Sequence, residues 1–75
     1  MEIFYTGKTL YINIEERINF SLINKLQKKL YAILNNYQIE NITLSILNNE
    51  HYDKTLLDEL VSDYNIKYNG TFIIK

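Results

Sequence analysis

Between Thr9 and Ile14 apolar and polar residues alternate strictly, Leu10, Ile12 and Ile14 against Thr9, Tyr11 and Asn13, which is the period of a half-buried strand. Residues 2 to 5 also carry β-favouring side chains, and Thr6-Gly7-Lys8 supplies a turn between the two runs, so the chain opens with an antiparallel hairpin. Glu15-Glu16-Arg17 breaks the alternation. Beyond it the period lengthens: Leu22, Ile23, Leu26, Leu30, Ile33, Leu34 and Tyr37 recur three or four residues apart, one buried stripe of a helix. Its other face is Asn24, Lys25, Lys28 and Lys29, and Asn19 is placed to cap its first turn. Asn41 to Leu47 reads as a strand with apolar residues on both faces, which predicts an interior position. Asp53 is the N-cap expected for a second helix bearing Leu56, Leu57, Leu60, Val61 and Tyr64, with Asp58 and Glu59 in its early turns. The last stretch has two readings. Asn69-Gly70 is either a two-residue type I′ turn between Ile66-Lys67-Tyr68 and Thr71 to Ile74, or the end of a connection that leaves only Thr71 to Ile74 as a strand.

Strand, strand, helix, strand, helix, strand is the resulting order, and a strand-helix-strand crossover joins parallel neighbours. The expected fold class is therefore α/β: a small two-layer β-β-α-β-α-β domain with a mixed sheet, occupying residues 1–75 as one domain. Two helices cannot cover both faces of such a sheet, so one face is left for water or for another protein. Large residues expected there include several of Tyr5, Tyr11, Tyr68 and Phe72.

Composition narrows the function. At 75 residues, with no Cys, no Pro and a single His, the chain has neither disulfides nor a metal cluster to reinforce a small core. Tight packing or a covering partner must serve instead. A net charge of -1, from 8 basic and 9 acidic residues, disfavours nucleic acid, whose phosphates demand a basic surplus, and equally a polybasic membrane helix. Apolar runs stop at three or four residues, and Met1-Glu2-Ile3-Phe4-Tyr5 has no signal-peptide character, so no membrane association and a cytoplasmic location are expected.

Chemistry-bearing motifs are weak. Gly7-Lys8-Thr9 ends like a phosphate-binding loop but lacks the upstream Gly and the following helix. Glu50-His51-Tyr52-Asp53 gathers three potential metal ligands, too few with one His to close a site. Ser21, Ser45 and Ser62 have no oriented base, and the pairs Glu15-Glu16 and Asp58-Glu59 point apart. Lys25, Lys28 and Lys29 read as the solvent face of the first helix rather than an RNA site. Neither an enzyme nor a bound cofactor is expected.

Gly7-Lys8-Thr9-Leu10-Tyr11-Ile12, Ile18-Asn19-Phe20 and Tyr37-Gln38-Ile39-Glu40-Asn41-Ile42-Thr43-Leu44 resemble the second strand, the segment entering helix one, and the central strand of the STAS domain. That is the fold of anti-sigma-factor antagonists in Gram-positive bacteria, and the resemblance covers Gly7 to Lys75. In the family an Asp-Ser-Ser-Gly turn opens helix two, and a partner kinase phosphorylates its second Ser. Tyr52-Asp53-Lys54-Thr55-Leu56-Leu57 laid over that turn puts Asp53 on the Asp and Thr55 on the phosphoacceptor, with Lys54 and Leu56 replacing the first Ser and the Gly. The family's last helices and strand have no counterpart here. The resemblance implies a non-catalytic protein-protein interaction module that binds a protein partner or itself through Tyr11, Tyr52, Asp53, Lys54 and Thr55. A small inhibitor or immunity protein of a mobile genetic element is the alternative.

Overall fold

A computed structural model of the chain describes residues 1–48 and 51–75. Six elements follow one another: β1 (Glu2–Thr6), β2 (Thr9–Ile14), α1 (Phe20–Asn36), β3 (Asn41–Ile46), α2 (Lys54–Lys67) and β4 (Thr71–Ile74). The hairpin turn is closed by Gly7 at φ 62° with no other described residue at positive φ, the conformation of a type II′ turn, and it sets Thr6 opposite Thr9. Asn19 caps α1 as expected, its side-chain oxygen accepting the Leu22 N–H at 2.8 Å.

The sheet runs β1-β2-β3-β4, with β1 antiparallel to β2, and β2, β3 and β4 mutually parallel. Strand order never reverses, so two right-handed crossovers step the same way and place both helices on the same face. The core confirms this. It joins Leu10, Ile12 and Ile14 of β2 and Ile42 and Leu44 of β3 to Ile23, Leu26 and Leu30 of α1 and Leu57, Leu60 and Tyr64 of α2. No polar or charged residue is buried among the described residues.

One-sided cover corrects the reading of β3. The strand is interior in the order, yet its apolar residues lie on one face only: Ile42 and Leu44 are buried and Ile46 is half-buried, while Thr43 and Ser45 face the other way and Leu47 lies beyond the strand. The C-terminal ambiguity is also settled. Helix α2 runs to Lys67, Tyr68 is its C-cap, and Asn69-Gly70 is a link without positive φ, hence no type I′ turn. Gly70 sits there because the Tyr64 hydroxyl and the Glu40 carbonyl oxygen take the space a Cβ would need.

Tyr64 lies in an aromatic chain across the helix layer. Its ring is 5.6 Å from Tyr68 and 5.4 Å from Phe72, and Tyr68 lies 6.0 Å from Tyr31 of α1. Burial, and then the neighbouring Tyr68, raise the Tyr64 phenol above its ordinary value.

Candidate functional site

Paired strand residues share a face, so the register defines what the bare side of the sheet displays. Its middle row is Phe4, Tyr11, Thr43 and Ile73, in direct register across all four strands. One flanking row is Thr6, Thr9, Asn41 and Thr71, and the other is Glu2, Asn13 and Ser45. Phe4 and Ile73 remain 46% and 47% exposed, large apolar area for a solvated sheet. The Phe4 and Tyr11 rings stack at 5.2 Å with 16° between their planes, which covers part of each ring and leaves a flat aromatic surface outward. Around them the face is short and hydroxyl-rich; Glu2 and, just beyond β4, Lys75 are its charged residues, and the Glu2 carboxylate accepts from the Asn13 side chain at 3.0 Å.

Several of Tyr5, Tyr11, Tyr68 and Phe72 were expected on this face, and of the four Tyr11 alone is there. Tyr5 pairs with Leu10 and so points to the helix side, where its ring lies 5.2 Å from Tyr37 at the end of α1. Phe72 pairs with Ile42, and Tyr68 follows α2, so both belong to the aromatic chain among the helices. Phe4 and Ile73 were missed, although a turn that sets Thr6 opposite Thr9 already fixes Phe4 opposite Tyr11.

The mouth of α2 is a separate place. It lies in the helix layer at the C-terminal end of β3, whereas Tyr11 is on the opposite side of the sheet, so the five predicted contact residues form two groups. Tyr52 is half-buried against the core, and Asp53, Lys54 and Thr55 are exposed. Asp53 Oδ1 accepts the Thr55 N–H at 2.9 Å. That bond first, and one from the Thr55 hydroxyl second, hold the Asp53 carboxyl below the usual carboxylate range. The first turn of α2 contains no acidic residue, since Asp58 and Glu59 fall one turn further along; Lys54 instead puts a cation near the positive helix end. Asp53 therefore carries the capping of this terminus.

His51 is exposed, and Glu50 of the Glu50-His51-Tyr52-Asp53 set lies outside the described residues. Among the described residues no group of three or more His, Asp or Glu is placed to hold a metal ion. No described helix is long and apolar enough to cross a membrane. An undivided strand order also lacks the switch point at which open α/β sheets form a ligand crevice. What the arrangement provides is shape: a flat aromatic and hydroxyl face on one side, a capped helix end on the other. No protein-family model matches the chain, nor does a curated protein or a solved structure.

Proposed function

We propose that the chain is a non-catalytic protein-interaction domain, which presents the bare face of its sheet to a protein partner or to another copy of itself. The observation that carries this reading is the Phe4–Tyr11–Thr43–Ile73 row, an apolar band across a face that neither helix covers. Stacked aromatics and β-branched residues suit a protein surface, since they lose little conformational freedom on contact. The neutral character of the band suits an uncharged protein surface better than a phosphate backbone.

A STAS-like identity is part of the proposal, supported by the β-β-α-β-α-β order and by Asp53 capping the helix that Thr55 enters. On that reading Thr55 is the phosphoacceptor, the mouth of α2 is a second contact for a regulatory partner, and the setting is bacterial cytoplasm.

A photo-crosslinking residue at Tyr11 tests the interaction face, with one at Lys25 on the exposed side of α1 as control. A protein captured from source cells at Tyr11 but not at Lys25, displaced by unlabelled chain and then bound one-to-one after purification, is the expected result. Equal capture at both positions, or none, refutes the reading.

A further inference from the structure

The outer edge of β4 is the second unpartnered feature of the sheet. Thr71 N–H bonds to the Glu40 carbonyl at 3.0 Å, Lys75 N–H to the Leu44 carbonyl at 2.8 Å, and the Lys75 carbonyl accepts from Ile46 N–H at 3.3 Å. Odd-numbered residues thus turn their backbone groups toward β3, and by alternation Phe72 and Ile74 turn theirs to the free edge. Three consecutive apolar residues, Phe72, Ile73 and Ile74, occupy this edge without a proline, and Lys75 puts a charge only at its end, just beyond β4. The opposite edge, at β1, begins with Glu2, and Lys29 of α1 lines a groove beside it together with Met1 and Ile3. Along β4 on the helix side runs a groove of about 520 Å³ lined by Val61, Ile66, Phe72 and Ile74 and by the polar Asp58, Ser62 and Asn65, and Ile66 is 79% exposed.

We propose that two copies of the chain pair through β4, antiparallel about a two-fold axis at Ile73, to make one continuous eight-stranded sheet. The strand is its own complement. With the axis at Ile73, Phe72 of each copy faces Ile74 of the other, and all four outward N–H and C=O groups of each edge are satisfied. An axis at Phe72 would instead set Ile74 opposite Gly70, outside the strand. Ile73 meets Ile73 on the bare face, so the apolar row continues unbroken from one Phe4 to the other. Lys75 falls opposite Thr71, so no like charges oppose one another. On the helix side the two grooves merge, with Val61 and Ile66 of each copy flanking the junction.

Register and charge favour a second copy as the occupant: read in reverse, the edge matches its own outward donors and acceptors, sets Phe72 against Ile74 and opposes no like charges along the strand. The inference rests on reading the chain as an interaction module and specifies how it self-associates.

Sedimentation velocity on the purified chain from about 5 μM to 1 mM tests it, alongside amide exchange. The expected result is a concentration-dependent dimer in which exchange at Phe72 and Ile74 slows as the dimer fills. Ile73→Lys, which sets two ammonium groups at the axis, and Ile74→Pro, which removes an outward N–H and no internal bond, each raise the dissociation constant more than about tenfold. Lys25→Glu, on the exposed side of α1, leaves it unchanged, and circular dichroism confirms that all three fold. A monomer throughout the range overturns the proposal even if Tyr11 still captures a partner. So does a dimer in which Phe72 and Ile74 exchange freely, or one lost in Lys25→Glu, since those outcomes place the contact on another surface.

Discussion

The hydroxyl of Tyr64 occupies the place where a side chain at Gly70 would put its Cβ. Tyr64 is 1% exposed and held by Tyr68 and Phe72, so it cannot swing away. Gly70→Ala is therefore expected to cost about 1–3 kcal/mol, the usual range for overpacking, seen as a lower urea midpoint at unchanged slope. Tyr64→Phe in the same chain removes the nearest clashing atom and recovers part of the loss. Gly7 differs: its φ is 62° and nothing lies within 4 Å of the place a Cβ would take, so Gly7→Asn is tolerated better than Gly7→Ala, whereas at Gly70 the larger Asn is no better than Ala.

A core on one side of the sheet makes stability alternate along β3. Leu44 is fully buried under the helices, while its neighbour Thr43 faces outward. Leu44→Ala should destabilise the chain by about 2–5 kcal/mol, enough to unfold much of a domain whose total is roughly 4–11 kcal/mol. Thr43→Ala should cost under about 1 kcal/mol. Equal losses at the two positions in thermal melts would mean that the outer face is packed as well.

The elements themselves were legible in the residues. Both caps, Asn19 and Asp53, and the change from a two-residue to a three- or four-residue apolar period mark the boundaries, because those signals are local. What is not local is which face a strand residue takes. Tyr5 and Phe72 point inward because their partners Leu10 and Ile42 do, and that depends on pairing across the sheet. Phe4 is the instructive case: the two-residue Gly7-Lys8 turn dictates its pairing with Tyr11, whereas the residues alone suggest a three-residue turn, Thr6-Gly7-Lys8, that leaves this register open. Ile73 is further from reach, since its position depends on a parallel register set through two helical crossovers. The end of the chain was ambiguous because Asn-Gly signals a turn by propensity, while the close approach of Tyr64 explains the glycine as well.

The Phe4–Tyr11 stack should be measurable as a pairwise energy. Both residues lie on the bare face, so replacing either leaves the helix-side core untouched. A double-mutant cycle with Phe4→Leu and Tyr11→Leu should return a coupling of about 0.5–1.5 kcal/mol, the range for aromatic pairs, from chemical unfolding. A coupling of zero would show that the two rings do not hold each other on the exposed sheet.

The N-cap of α2 gives the fold an acid-sensitive end. Asp53 accepts from the Thr55 N–H and hydroxyl, which lowers its carboxyl from the ordinary 3.8, and a group depressed on folding stabilises the fold above its unfolded pKa. The contribution is complete at neutral pH and fades as pH falls from near 3.8 through the lower folded value, where the protonated carboxyl is a poorer acceptor. Asp53→Asn keeps a capping oxygen but has no proton to gain, so its urea midpoint should fall less steeply than that of the parent over this window. Asp53→Ala should lose the cap at every pH, with the loss in helical ellipticity largest at neutral pH. Parallel midpoint-against-pH curves for Asp53→Asn and the parent would exclude Asp53 as the origin of the acid sensitivity.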